Sequence, residues 1–248
     1  MKSFGLTDKG KVRAENQDSF LLELCPEKDC LIAVLCDGMG GARAGGVASA
    51  LCIKTFAGSV FEKLVSSRTI ATDYRQILQS ACSETNEAVF TCANSSEDYS
   101  GMGTTLVGGV IKRNGSGYII NVGDSRAYLL QPGKNKIRQI TRDHSLVEEL
   151  VRFGAITREQ AREHPQRNVI TRALGTEPKM DSDYFSFRLS SGDLLLLCSD
   201  GLSNLLTDDE ILEQAIAYPE PEALCRRLMD MALDNGAHDN VTVVVVVR

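Results

Sequence analysis

Several things are scarce in this sequence, and each scarcity closes off a class of function. Only three histidines occur among 248 residues, and no C-x-x-C pair is present, so a zinc site is not expected. No apolar run approaches the ~20 residues that span a bilayer. The opening stretch MKSFGLTDKGKVRAENQD holds no apolar segment of the secretory-leader kind. Positive charge is in deficit: 27 Lys and Arg face 33 Asp and Glu, a net charge of −6. That balance opposes broad binding to nucleic acid or to an anionic membrane surface. A dinucleotide fingerprint is also missing. Gly38-Met39-Gly40 begins a G-x-G-x-x-G, but its sixth position is Arg43, and no G-x-x-x-x-G-K-[ST] loop occurs. No Pro- or Ser-rich tract, long charge run or fixed repeat marks a linker or an array. The expected compartment is the cytoplasm.

Cysteine is not scarce. Of the eight, Cys36, Cys52, Cys82, Cys198 and Cys225 sit inside apolar runs, where Cys acts as a small hydrophobe. Reduced, buried thiols are therefore expected over a disulfide framework. A chain this long buries roughly 70–75% of its unfolded surface and needs no staples.

Short β-like runs are spread along the chain: 19–24, 30–36, 104–113, 117–122, 126–131, 193–199 and 240–247. Asn-Gly in KRNGSGY signals a hairpin between the third and fourth. The runs on either side of NVGDSRAY are so close that they are expected to be antiparallel neighbours. Two helices interrupt the strands, near 45–64 and 73–93. The second places Ile77, Leu78, Ala81, Cys82, Thr85, Ala88, Val89 and Cys92 on one face. Capping boxes are expected at Ser145 with Glu148, Thr157 with Gln160, and Thr207 with Glu210. A last helix spans about 220–234, with Leu224, Leu228 and Met231 on its apolar side. Continuous apolar strands such as LLLLC and VTVVVVV imply sheets covered on both faces. The pattern is that of a layered α+β domain, a strand sandwich flanked by helices. Residues 141–178 break it with a polar, Arg-rich helical piece resembling a flap.

Acids collect at the strand ends. LIAVLCDG ends in Asp37-Gly38, YIINVGDS in Gly123-Asp124, and LLLLCSDG in Asp200-Gly201. Asp18 directly precedes the run at 19–24 and Asp239 the run at 240–247. One such Asp-Gly is an ordinary turn. If five strand ends meet, their carboxylates share a small volume and raise one another's pKa. A divalent cation offsets that most directly. Oxygen ligands without thiolate or clustered imidazole favour Mg²⁺ or Mn²⁺. A glycine beside a ligating Asp also lets its backbone carbonyl approach the ion.

These residues, in this order, resemble the metal-dependent protein phosphatase (PPM) family, the type 2C serine/threonine phosphatases, and most of all its compact bacterial branch. The matching stretches are RAENQD (13–18), DGMGG (37–41), SGMGTT (100–105), NVGDSRAY (121–128), TRDHS (141–145), NVITRALG (168–175), LLLLCSDGL (194–202) and DNVTVVVV (239–246). They run through essentially the whole chain. The resemblance implies one domain over 1–248, an α-β-β-α four-layer sandwich of two antiparallel sheets flanked by helix pairs, with the 141–178 segment as its flap. It implies two tightly held Mn²⁺ or Mg²⁺ ions. Asp37 is implied as the bridging ligand, the Gly38 carbonyl as a further ligand, and Asp200 and Asp239 as holding the second ion. Asp18 is implied close by, orienting water, with Gln17 beside it. Asp124 with Asp200 is implied to hold a weaker third ion, and Arg13 to grip substrate phosphate.

The implied activity is hydrolysis of phosphoserine and phosphothreonine in proteins by a metal-bridging hydroxide, opposing a bacterial Ser/Thr kinase, by a monomer that does not enter membranes. A catalytically silent phosphoprotein- or nucleotide-sensing module on the same fold is the alternative. Met39 stands where animal members often carry a histidine assigned as general acid, and a thioether donates no proton. His144 and His164 are expected at the surface; His238 is either a site-supporting or a plain loop residue. Arg126 and Arg172 are expected to pair with nearby carboxylates, and Arg43 to be exposed.

Overall fold

The computed structural model describes residues 1–41, 44–67 and 72–248, so Arg43 lies outside the described residues. Alternation along the strands builds three layers of core. In β11 (Val241–Val247), Val241, Val243 and Val245 face one way and Val244 and Val246 the other, and all five are buried. In β3 (Cys30–Met39), Ile32, Val34 and Cys36 face one layer, while Leu31, Ala33 and Leu35 face another. A strand whose side chains are apolar in both directions needs partners on both faces.

Those partners are supplied by two antiparallel sheets and two helix pairs. One sheet holds β1 (Lys2–Asp8), β11, β10 (Leu194–Cys198), β7 (Arg126–Gln131) and β8 (Lys136–Gln139), in that spatial order. The other holds β2 (Asp18–Cys25), β3, β5 (Leu106–Lys112), β6 (Ser116–Val122) and β9 (Asp183–Arg188), with the short β4 (Gly103–Thr104) beside β3. Helices α1 (Ala44–Ser66) and α2 (Tyr74–Ala93) cover the second sheet through Phe56, Val60, Leu78 and Val89. Helices α6 (Asp208–Ala217) and α7 (Pro221–Asp234) cover the first through Ile211, Leu224 and Leu228. The middle layer, between the sheets, is Leu31, Leu35, Val107, Ile119, Leu195, Leu197 and Val244 among others. This is the expected α+β arrangement, layered α-β-β-α. Helix α1 is long and apolar enough to cross a membrane by length and composition alone, yet half of its most apolar window is buried within the fold.

Helix ends follow local chemistry. Asp73 caps α2 by accepting from the Gln76 N–H at 3.0 Å. Full capping boxes form at Thr157 before α4 (Arg158–Glu163) and at Thr207 before α6. The box expected before α3 (Leu146–Arg152) is half made. The Ser145 hydroxyl accepts from the Glu148 N–H, but the Glu148 carboxylate lies 3.6 Å from Arg158 instead. The β5–β6 hairpin turns through Gly115 at φ +91°, as Asn-Gly predicts.

Two expectations need correcting. β6 and β7 are not neighbours: β6 pairs with β5 and β9, and β7 with β10 and β8. Gly123, at φ +104°, turns the chain out of one sheet and into the other. The periodicity also misses β1, β8 and β9, each an edge strand of mixed polarity and incomplete burial. All eight cysteines are free, seven of them buried. Burial pushes the thiols of Cys30, Cys82, Cys198 and Cys225 up to about 12, so they pack as apolar groups.

Candidate active site

The middle layer changes character at one end of the sandwich. Its inward-facing rows run Leu31, Ala33, Leu35 and then Asp37 on β3, and Val246, Val244 and then Thr242 on β11. At this same end β10 runs into Ser199-Asp200, β6 into Gly123-Asp124, and β2 begins at Asp18. Five strand ends thus bring Asp18, Asp37, Asp124, Asp200 and Asp239 together. The gathering is electrostatic as well as spatial. The Asp37 carboxyl is held well above the ordinary carboxylate range by burial, and then by the charges of Asp18, Asp200, Asp124 and Asp239. Burial raises Asp18 to about 7 and Asp200 to about 6. Asp124 is also pushed well up, by burial and then by Asp200 and Asp143.

The surrounding hydrogen bonds hold the carboxylates in place without neutralising them. The Ser199 and Thr242 hydroxyls both donate to Asp18 Oδ2, at 2.8 and 2.6 Å. Asp18 Oδ1 and Asp200 Oδ1 are buried and accept nothing. Asn204 Nδ2 donates to Asp200 Oδ2 at 3.1 Å. The Asp37 N–H donates to the Thr105 hydroxyl at 2.9 Å, and that hydroxyl reaches Ser125 at 2.7 Å, next to Asp124. Arg13 Nη2 donates to Asp239 Oδ2 at 2.8 Å while the Arg13 side chain stays 55% exposed, so a cation stands at the rim with most of its surface open. Asn240 fastens the loop that carries Arg13. Its Oδ1 accepts from the Gln17 N–H, and its Nδ2 donates to the carbonyls of Lys9 and Glu15.

The two Asp-Gly glycines have a packing reason. A Cβ on Gly38 would strike the carbonyl of Gly45, and one on Gly201 the carbonyl of Asn240. Side chains there would push α1 and β11 off the site, so each glycine brings a neighbouring backbone close to its aspartate.

The donor set suits a hard divalent ion. Two buried carboxylate oxygens without a hydrogen bond, among other acids, accept a cation readily. Among the described residues no three His, Cys, Asp or Glu side chains close into one cage. Mg²⁺ is commonly held by one or two carboxylates and water rather than by an all-protein cage, so pairwise holding fits.

Beside this cluster lies a cavity of about 330 Å³, lined among others by Asp124, Asp200, Asn204 and Asp208, and by Arg158 and Arg162 of α4. Residues 141–178 form one wall and are fastened at both ends. Arg126 Nε and Nη2 grip the Asp143 carboxylate, with Nη2 at 2.7 Å, and Arg172 lies 3.3 Å from Asp183. Both arginines therefore pair with carboxylates, as expected. His144 does not match its expectation of a surface position. It is 5% exposed, because its Nδ1 accepts from the Gly123 N–H and its backbone pairs with Gly123 and Thr171. Burial and the nearby Arg172 lower its pKa. His164 is half-buried at the end of α4 and His238 is exposed. Sequence reading missed Ser199, Thr242, Thr105 and Asn240. The available signal was a polar residue where alternation requires an inward-facing apolar one, as at Thr242 in the valine run.

The protein phosphatase 2C family model matches residues 9–236. The chain belongs to the protein phosphatase 2C family. It is 39% identical over 245 residues to the serine/threonine phosphatase stp of Listeria welshimeri, covering 98% of this chain and 94% of that one. Among solved structures it is similar to the serine/threonine phosphatase Stp1 from Staphylococcus aureus. That similarity has a TM-score of 0.89 and 36% identity, over 100% of this chain and 94% of that one. It is likewise similar to the catalytic domain of the serine threonine protein phosphatase PstP, solved in complex with two manganese ions. There the TM-score is 0.82 and the identity 35%, over 98% of this chain and 96% of that one. The PPM resemblance of the sequence motifs and the sandwich fold thus agree with the family match.

Proposed function

We propose that this phosphatase 2C member hydrolyses phosphoserine and phosphothreonine in proteins, using two Mn²⁺ or Mg²⁺ ions. The observation that carries the reading is the convergence of five aspartates with two unpartnered buried oxygens, beside a half-exposed arginine. The two manganese ions bound by the PstP catalytic domain support the choice of ion. Asp37 with the Gly38 carbonyl would hold one ion, and Asp37 with Asp200 and Asp239 the second. Asp124 with Asp200 would hold a weaker third. When bound, such ions polarise phosphoryl oxygens and lower the pKa of water toward neutrality.

The chain's own groups do the rest. Asp18, fixed through Oδ2, would accept a proton at its unpartnered Oδ1. Arg13 binds the phosphate, its planar fork suited to two parallel hydrogen bonds, with Asp239 steering it. No nucleophilic Ser or Cys is required, and the buried, high-pKa thiols suit that. Residues 141–178 act as a flap beside the groove.

The natural substrates are phosphorylated proteins, with a bacterial Ser/Thr kinase as the opposing enzyme. A cytoplasmic monomer that binds neither nucleic acid nor membrane completes the proposal; eight reduced thiols and the acidic balance support it. A catalytically silent sensing module has no observation in its favour, since every aspartate of the cluster is present. Hydrolysis of a phosphothreonine peptide with and without Mn²⁺ tests the reading, with Asp37→Asn and Asp200→Asn as controls. Mn²⁺-dependent turnover lost in both variants is expected; wild type no faster than Asp37→Asn would sink it.

A further inference from the structure

Asp18 sits on β2, in one sheet, yet both donors to its side chain come from the other sheet: Ser199 at the end of β10 and Thr242 on β11. Both bonds end on Oδ2, while Oδ1 is buried and accepts none. A carboxylate can rotate by half a turn and exchange its oxygens. Two hydroxyls fixed on one oxygen oppose that rotation and keep the other as the unpartnered one.

The hydroxyls have no freedom of their own. Ser199 Oγ accepts from the Thr242 N–H at 2.9 Å, so its single hydrogen goes to Asp18. Thr242 Oγ1 spends its hydrogen on Asp18 and must accept from Thr7 Oγ1, 2.7 Å away on the neighbouring strand β1. Thr7 Oγ1 in turn accepts from Asn16 Nδ2 at 2.8 Å. An amide nitrogen only donates, and the Asp18 carboxylate, in the ionised form that a bound cation favours, only accepts, so both ends of this chain are chemically fixed. The order Asn16, Thr7, Thr242, Asp18 therefore has one hydrogen-bond direction, running from the exposed loop to the buried acid. Thr242 and Ser199 are fully buried, and charge-assisted bonds in such surroundings are strong.

We propose that Thr242 is a positioning residue for the metal centre: at the head of a one-directional hydroxyl chain, it locks Asp18 by Oδ2 and so keeps Oδ1 free for the ion site. Thr242 acts through Asp18, since its hydroxyl is engaged by Asp18 on one side and Thr7 on the other. The inference rests on the phosphatase reading for its catalytic consequence, but its first readout is ion binding alone.

The test titrates Mn²⁺ by calorimetry into chelator-treated wild type, Thr242→Val and Thr242→Ser. It then measures kcat and KM for p-nitrophenyl phosphate at saturating Mn²⁺. Valine keeps the shape and removes the hydroxyl; serine keeps the hydroxyl. Groups that orient ligands typically contribute 10–100-fold to affinity or rate, so Thr242→Val is expected to weaken Mn²⁺ about 10-fold or more. Its kcat is expected to fall as well, with KM within about threefold of wild type, and Thr242→Ser to restore both within about threefold. Unchanged Mn²⁺ affinity in the valine variant, or a serine variant as impaired as valine, would overturn the proposal. If Thr242→Val does not fold, Ser199→Ala, which removes the other donor to the same oxygen, decides on the same affinity criterion. A wild type that binds Mn²⁺ without hydrolysing phosphoesters would defeat the phosphatase reading while leaving this comparison intact.

Discussion

Asp18 and Asp37 stand opposite each other across the β2–β3 ladder, at the end that carries the acidic cluster. Like charges in direct cross-strand register oppose each other and destabilise the pair. The same register at the other end of the hairpin pairs Cys25 with Cys30, where nothing is charged. The fold thus places this like-charged pair at the candidate centre. A site held in this way is expected to trade stability for function.

Removing the Asp37 carboxyl, which burial and its acidic neighbours make costly to ionise, should therefore stabilise the protein while disabling it. In chelator, Asp37→Asn is expected to melt higher than wild type. A relief of 1–2 kcal/mol corresponds to roughly 2–8 °C for a chain of this size. Differential scanning calorimetry with and without Mn²⁺ checks it. The variant should also lose most of the Mn²⁺-induced rise in Tm that wild type shows. A variant that melts lower than wild type in chelator would contradict the account.

The acid cluster also sets a pH dependence. In the folded protein without ions, burial holds Asp18 near 7 and Asp200 near 6, against an ordinary value of 3.8. The folded state then binds more protons than the unfolded chain between about pH 4 and pH 7, so stability falls as pH rises through that window. Urea midpoints in chelator are expected to drop from pH 5 to pH 7 and to level off above it. Saturating Mn²⁺ should flatten or reverse the trend, because the ion favours the ionised carboxylates, and Mn²⁺ binding should release protons. A midpoint in chelator that climbs over this range would show that the cluster does not control acid–base stability.

Arg13 should matter to the phosphate and not to the ions. It is anchored by a single bond to Asp239 and is more than half exposed. Hydrogen bonds to charged groups contribute about 1.5–3 kcal/mol, so Arg13→Ala is expected to lower kcat/KM for phosphoester substrates by roughly 10- to 100-fold. Mn²⁺ affinity measured by calorimetry should change little. Arg13→Lys, which keeps the charge and loses the fork, should fall between the two. Loss of the tightly bound ions in Arg13→Ala would reassign the residue to the upkeep of Asp239.

Much of the site was legible because physical chemistry marks it in one dimension. A buried strand that stops at an aspartate is a sharp event in a sequence, and Asp37, Asp124 and Asp200 each follow such a run. Thr242 was less visible, since one threonine in a valine strand is equally at home on a surface-facing position. Only the parity of β11, with Val244 and Val246 between the sheets, puts it inward. His144 was misread for a related reason. Its neighbours are polar, and its burial comes from a contact with Gly123, 21 residues earlier. The edge strands β1, β8 and β9 carry a weak pattern because each is only partly buried and pairs on one side alone.

The sequence by itself determined the alternation that buries both faces of the strands, the helix caps, the glycine turns and the acids at the strand ends. These are local matters of side-chain polarity, backbone freedom and spacing. Only the tertiary structure decided that the chain leaves one sheet at Gly123 and enters the other, so that Asp124 lies at the mouth between them. It alone decided which end of the sandwich collects the carboxylates, and that Asp18 takes both its hydrogen bonds from the opposite sheet. Such relationships depend on contacts between residues far apart in the chain, and a pattern of period two carries no information about which strand lies beside which.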